Sequence, residues 1–356
     1  MHYCFFTSGT WHGNASMVRM REIGNEFLAR GHRVTYLVDD VPFNHEKLNV
    51  SPDAQVVYTP NPSSVGQIRA RRKLIRQINA DFVHVLNPSI KAWLALAGMS
   101  KQRVVGDWDE WPARRVQLSW HRRLREKFLD RWLRNRSALV VVASRYLQRQ
   151  FKELFNLDAA YIPYATYLEQ SADGQSPHAE PAAVYMGSFY PIYDHDLLLE
   201  AARLLKQKGL HPNITLGGDG EDLPRMREFV AEHGLSNVHL VGYQSGNDLW
   251  RHLRHARVLL FPIRETLLNL CRCPSKTFAY VQARRPVIAN RVGEVAEVLG
   301  EKGTYVEPTA QSFADAIAGA MQSPATDADV EYDLANLTWS ARADALLAQL
   351  AARCPR

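Results

Sequence analysis

Residues 258–299 read VLLFPIRETLLNLCRCPSKTFAYVQARRPVIANRVGEVAEVL, and the order of features along them decides the fold. An apolar strand, residues 258–261, runs into a polar loop holding Asn269, Cys271, Arg272 and Cys273. Pro274 opens a helix that stops before Pro286, and a second apolar run, residues 287–289, follows. Proline suits a first helical position, because a helix start leaves its leading amides unpaired in any case. The amide row in front of Ser275, Lys276 and Thr277, with the positive end of the helix dipole behind it, favours an anion. Lys276 and Arg272 add full charges. A strand, loop and helix of this kind at the carboxyl end of a parallel strand is where an α/β domain holds a phosphate, and the loop reads as a diphosphate site. The same features also fit an ordinary β-α-β unit whose basic loop is merely solvated.

Strand and helix signals alternate from the first residue to about residue 322, as a parallel α/β architecture requires. Residues 3–7 read as a strand, followed by the turn Ser8-Gly9-Thr10-Trp11-His12-Gly13-Asn14. A helix then carries Met17, Met20, Phe27 and Leu28 inward and ends at Gly31, which suits a left-handed cap. Residues 34–38, 56–58, 82–86, 104–106 and 139–143 are further strands. The stretch TYLEQSADGQSPHAEP, residues 166–181, is poor in large apolar side chains and reads as a linker. The pattern restarts with a strand at 183–187 and a helix capped by Asp194 that runs through Leu205. Strands at 214–216 and 238–241 and a helix near 248–255 lead into the stretch quoted first. A last helix, about 340–352, has Leu346, Leu347 and Leu350 as its apolar positions. The expected division is a first Rossmann-like domain at 1–165, a linker at 166–182, a second such domain at 183–335 and a closing helix at 336–356.

A chain of 356 residues has room for two separate cores, and 46% hydrophobic with 22% charged residues is ordinary for a soluble globular protein. The longest apolar run, residues 138–143, is strand-sized and far short of the roughly 20 residues that span a bilayer. No charged leader precedes the first strand. Cys4, Cys271, Cys273 and Cys354 are too few for a disulfide framework and point to a reducing cytoplasm. Cys271 and Cys273 lack the second pair that would complete a ligand set, so no metal is expected. The formal charge of +6 is unevenly placed: residues 114–153 hold twelve Arg or Lys against three acids. Leu124, Phe128, Leu129, Trp132 and Leu133 recur there at helical spacing, with Arg122, Arg123, Arg125 and Arg131 between them. Arg69, Arg71, Arg72, Lys73 and Arg76 form a second basic cluster. Such helices suit the inner, anionic face of a membrane, as a peripheral contact. They equally suit a helix whose apolar stripe packs on its own core. No nucleic-acid-binding module accompanies the charge, and nucleic acid is not an expected partner.

Gly13 with Arg30-Gly31-His32-Arg33-Val34 opens a series of short motifs. Asp81-Phe82-Val83-His84 follows, then Met186-Gly187 with Asp196-Leu197-Leu198-Leu199-Glu200-Ala201. Gly218-Asp219-Gly220, Val241-Gly242, Pro274-x-Lys276-x-x-x-Tyr280 and Pro286-Val287-Ile288-Ala289 complete it. In this order and context the motifs resemble the retaining GT-B glycosyltransferases of the large family four, the group 1 glycosyl transferases. The resemblance implies two Rossmann-like domains facing a cleft, with the last helix crossing back to the first domain. It implies metal-independent transfer of a sugar, with retention, from a nucleoside diphosphate sugar to a saccharide or lipid-linked acceptor, with no cofactor besides that donor. The second domain would bind the donor and the first the acceptor. Amides near Gly13 and Asn14 would face the diphosphate, Gly187, Ser188, Gly218 and Asp219 would line the donor site, and Tyr243 would sit beside the base. Lys276 and Arg272 would balance the leaving diphosphate, whose charge grows as the glycosidic bond breaks. Arg264, Glu265, Asn269, Ser275 and Thr277 would surround them.

The sequence also departs from that pattern. The family's Glu-x7-Glu pair falls at Cys271 and Ala279, so neither carboxylate is present, and Glu265 is the nearest acid on the loop. The usual Arg and Lys after the Gly187 strand fall at Ser188 and Tyr193, which leaves Arg264, Arg272 and Lys276 to carry phosphate charge. The helix-end glycine is Arg284, at a cost of about 1 kcal/mol if it turns left-handed. The family's His after the fourth strand falls at or beside Trp108, in Gly106-Asp107-Trp108-Asp109-Glu110-Trp111. Asp107 or Asp109 would orient an acceptor hydroxyl instead, or simply cap the loop. Tyr193-Asp194-His195-Asp196 with Asn269, Arg272 and Pro274-x-Lys276 is similar to a variant among transferases of bacterial surface polysaccharides, which implies an active, divergent enzyme. The alternative is a non-catalytic GT-B subunit that binds a nucleotide or scaffolds a glycan assembly complex.

Overall fold

The computed structural model describes residues 1–7, 15–60, 65–114, 118–166, 174–323 and 330–353. The chain divides into two compact units. Unit 1 holds Met1–Ala165, Leu270–Cys273 and Leu337–Arg356; unit 2 holds Thr166–Asn269 and Pro274–Asn336.

Unit 1 is built on seven parallel strands. They are β1 (His2–Phe6), β2 (Arg33–Asp39), β3 (Gln55–Thr59), β4 (Phe82–Leu86), β5 (Val104–Trp108), β6 (Leu139–Val142) and β7 (Ala160–Tyr161), in the order β3-β2-β1-β4-β5-β6-β7. β1 is buried at every position, which is why its sequence after His2 runs apolar without alternation. β1 pairs with β2 on one side and β4 on the other. The direction of sheet growth therefore reverses between β1 and β4, and the crevice beyond their carboxyl ends is the natural ligand position of the unit. The closing helix, Trp339–Arg353, puts Trp339, Ala343, Leu346 and Leu350 into the same core as Tyr3, Phe27 and Tyr36. Full burial of each leucine there is worth about 1.5–3 kcal/mol.

Unit 2 repeats the design with β8 (Ala182–Met186), β9 (Asn213–Gly217), β10 (Val238–Gly242), β11 (Val258–Phe261), β12 (Val287–Ala289) and β13 (Thr304–Tyr305). Their order is β10-β9-β8-β11-β12-β13, all parallel. Here the reversal lies between β8 and β11. The helices Asp196–Gln207 and Ala310–Gln322 close one face through Leu198, Leu205, Phe313 and Ile317.

Two local expectations change, and two hold. Pro274 is the N-cap rather than the first helical residue, with ψ at 119°, and the helix is Ser275–Ala283. Asp194 does not cap the next helix: His195 holds the N-cap position of Asp196–Gln207, without a side-chain cap. The basic stretch folds as the helix Trp120–Arg136. Arg284 is left-handed, at φ 56°.

Candidate active site

Lys276 lies in the first turn of Ser275–Ala283. Its ammonium stands 4.1 Å from the ring centre of Tyr185 on β8 and 4.3 Å from that of Phe261 on β11. Those are the two strands at which the sheet order reverses, so the cation occupies the crevice where such sheets bind ligands. Ring faces attract an ammonium and steady it there. Tyr280, one turn further on, fixes the helix: its hydroxyl accepts from the Met186 amide at 2.9 Å and donates to the Leu260 carbonyl at 3.2 Å. It is fully buried, and burial pushes its phenol up, so the group stays neutral. The motif displayed this tyrosine without a role. Its four-residue spacing from Lys276, which stacks both on one helix face, was the available signal.

The helix start is narrower than its sequence implies. The Thr277 amide donates to the Pro274 carbonyl at 3.1 Å within the turn. The Thr277 side chain is fully buried, with its hydroxyl lacking a hydrogen-bond partner among the described residues. Ser275 remains half-buried beside Lys276.

Arg264 is engaged otherwise than expected. Its guanidinium donates to Asp194 Oδ1 at 2.8 Å and to both oxygens of Asp196, at 3.0 and 2.8 Å. Its amide donates to Asp194 Oδ2 at 2.8 Å, and buried Asn269 donates to the Arg264 carbonyl at 2.7 Å. Burial opposes ionisation of Asp196, but hydrogen bonds and charge from Arg264 outweigh it and hold the carboxyl below the usual range. Two carboxylates thus offset the one guanidinium. Asn269 ties this loop together through its Nδ2, and its buried Oδ1 has no hydrogen-bond partner among the described residues. Glu265 is exposed. Arg272 falls in Leu270–Cys273, which clusters with unit 1, whereas Lys276 belongs to unit 2. Beside Arg272, Cys271 is buried, with its thiol pushed up to about 12 by that burial, and Cys273 Sγ accepts from the Tyr164 amide at 3.3 Å.

The glycine loops at the ends of β8 and β9 lock together. A Cβ on Gly218 would lie 1.8 Å from the Gly187 carbonyl oxygen, and one on Gly220 would lie 2.2 Å from that of Phe189. Glycine at 218 and 220 is required by this backbone contact. Ser188 and Asp219 are exposed on the two loops, and Tyr243, just past β10, is 74% exposed. Gly13 and Asn14 lie outside the described residues.

In unit 1, Asp107 and Asp109 separate sharply. Asp107 is buried at the end of β5, where it accepts from Arg19 and from His84 Nε2, the latter at 2.8 Å. His84 Nδ1 meets the Tyr3 hydroxyl at 2.8 Å, and Arg19 also donates to the Ile162 carbonyl at 2.5 Å. Burial opposes the charge on Asp107, yet Arg19 and His84 keep its carboxyl below the usual range. Both partners bind Oδ2, so Asp107 holds Arg19 in place, while its buried Oδ1 has no partner among the described residues. Removing one partner of such a pair typically costs 3–5 kcal/mol. Asp109 is half-buried, and burial pushes its carboxyl up to about 6, with Glu110 adding and Arg19 opposing. Asn87, left-handed at φ 53° just past β4, donates to that carboxylate and accepts from the Asp109 amide at 3.3 Å. A left-handed non-glycine residue beside a raised carboxyl is a recurrent sign of a functional site. Sequence reading passed over Asn87 because nothing local marks its conformation.

Residues 18–164 match the family model described as Glycosyltransferase Family 4, and residues 180–323 the one described as Glycosyl transferases group 1. An uncharacterized glycosyltransferase of Methanocaldococcus jannaschii is 22% identical over 186 residues, 52% of this chain and 49% of that protein. The chain thus matches about half the length of this curated relative. Among solved structures, a mutant of S. aureus TarM in complex with fondaparinux, alpha-GlcNAc-glycerol and UDP gives a TM-score of 0.72 at 9% identity, covering 98% of this chain and 99% of that one. WaaG, a glycosyltransferase involved in lipopolysaccharide biosynthesis, gives 0.65 at 16% identity, covering 96% and 94%. At these identities the likeness is one of fold.

Proposed function

The chain belongs to the family 4, group 1 glycosyltransferases of GT-B fold, and on that premise we propose that it transfers a sugar from a nucleoside diphosphate sugar to a saccharide or lipid-linked acceptor, with retention and without a metal. The observation that carries this reading is the position of Lys276 between the Tyr185 and Phe261 rings, at the reversal point of the unit 2 sheet. As the bond from the anomeric carbon to the diphosphate oxygen breaks, the leaving group gains charge. A cation fixed at a helix start, in a crevice walled by aromatic rings, stabilises that growing charge more than it stabilises the bound donor. This is the service a divalent metal would otherwise give. Exposed Tyr243 offers its ring to the base. UDP is the nucleotide to try first, because a structural neighbour was solved with it.

Acceptor binding falls to unit 1, with Asp109 orienting the incoming hydroxyl. Trp120, Leu124 and Phe128 are 75%, 59% and 49% exposed on the basic helix, on the face that also carries Arg123, Lys127 and Arg131. That face suits an anionic membrane surface, and a membrane contact suits a lipid-linked acceptor. Among the described residues no helix is long and apolar enough to cross a membrane. A role in bacterial surface glycan assembly fits the likeness to WaaG.

Hydrolysis of UDP-sugars, with water standing in for the acceptor, tests the reading. Lys276→Ala should lower UDP release at least hundredfold while leaving the thermal melt unchanged. Near-normal release from that variant would overturn the assignment.

A further inference from the structure

The cavity beside Asp109 has a charge pattern that hydroxyl recognition alone does not use. Its volume is about 370 Å³, within the range of small-ligand sites. Leu86, Asn87 and Glu110 line it at the carboxyl ends of β4 and β5, and Arg122, Arg125 and Glu126 line it from the basic helix. Glu126 pairs with Arg125 at 2.7 Å. Arg122 makes no ion pair or hydrogen bond among the described residues, so its charge is left for whatever enters. The helix itself is electrostatically adverse. It runs seventeen residues, Ser119 gives it no side-chain cap, and no acid lies in its first turn. Arg122, Arg123 and Arg125 instead stand near the positive end of the dipole, where cations work against stability. Local rules of this kind are most often broken at functional positions.

We propose that this cavity is the acceptor site and that the acceptor carries a phosphate group, seated on Arg122 and Arg125, with its sugar hydroxyls on the side of Asn87 and Glu110. The inference rests on the transferase reading above and adds the class of acceptor to it. Arginine suits the task because its planar fork meets two phosphate oxygens at once. The phosphate belongs either to a phosphorylated saccharide or to a prenyl phosphate carrier.

The test is calorimetric, on the full chain. UDP is titrated first, and glucose 6-phosphate, geranyl phosphate and glucose are then titrated into the UDP-saturated protein, so that the donor site cannot take the phosphate. At least one phosphate compound should bind tenfold or more tighter than glucose. Arg122→Gln should weaken it at least tenfold, whereas Arg123→Gln, which removes the same charge from the same helix away from the cavity, should not. Preference for glucose 6-phosphate indicates a phosphorylated saccharide, and preference for geranyl phosphate a lipid carrier. If UDP binds but neither phosphate does, or if both variants weaken binding equally, the acceptor assignment fails and the donor site stands. If UDP itself does not bind, the underlying reading fails and this one with it.

Discussion

Tyr280 acts on chemistry it never touches. Its hydroxyl holds the Met186 amide and the Leu260 carbonyl, and so sets the height of Lys276, one turn earlier, against β8 and β11. Tyr280→Phe leaves a buried amide without its acceptor, a loss of about 1–3 kcal/mol. A melting temperature lowered by several degrees, with donor turnover reduced at least several-fold, is the expected result; unchanged turnover would show that Lys276 does not depend on it. Asp109 gives the pH dependence. Its carboxyl, pushed up to about 6 by burial, is protonated below that pH and then has lost the charge and basicity with which the proposed role would draw on the acceptor hydroxyl's proton. Transfer should fall as pH drops through about 6, and Asp109→Asn should lose both most of the rate and this acid limb. Stability runs the other way. A folded-state carboxyl raised above its unfolded value contributes stability at low pH that is lost as pH rises through about 6. Asp109→Asn should therefore melt no lower than the parent at pH 8, and a rate profile that keeps its acid limb in this variant would assign the limb to another group.

The basic helix shows what element-scale pattern can and cannot say. Helical spacing of Leu124, Phe128, Leu129, Trp132 and Leu133 was plain in the sequence, but it does not say which apolar side chains have partners. In the fold Leu129 and Leu133 are buried, Phe128 is half-exposed with its ring edge-on to Trp93 at 5.0 Å, and Leu124 stands exposed with Trp120. Both readings of the stretch therefore describe part of it. Co-sedimentation with vesicles rich in phosphatidylglycerol, but not with neutral vesicles, should follow, weakening with salt as screening grows. Leu124→Glu with Phe128→Glu should abolish it; binding that survives the pair would clear this face of the role. The long strands were legible because a parallel strand covered on both faces is a continuous apolar run. β7 and β13, two residues each, carry too little pattern. The fates of Arg264 and Asp107 were not legible at all. Each is decided by a partner far along the chain, Asp194 and Asp196 in one case and Arg19 in the other, which no local spacing reveals.

At the scale of the whole molecule, two parallel sheets each reverse their strand order once, and the residues with unusual chemistry gather at those reversals. Lys276 marks the one in unit 2; Asn87, just past β4, and Asp109, just past the adjoining β5, mark the one in unit 1. Arg264 is neutralised by its own aspartates. On the proposed reading, the diphosphate charge in unit 2 falls to Lys276 and the helix start behind it. Calorimetric titration of the full chain with UDP, GDP, dTDP and CDP, with and without magnesium, tests this most directly. One nucleotide should bind saturably, with the same affinity in magnesium, and at least tenfold more weakly in Lys276→Ala. Equal affinity in Lys276→Ala, or binding that appears only with magnesium, would contradict it.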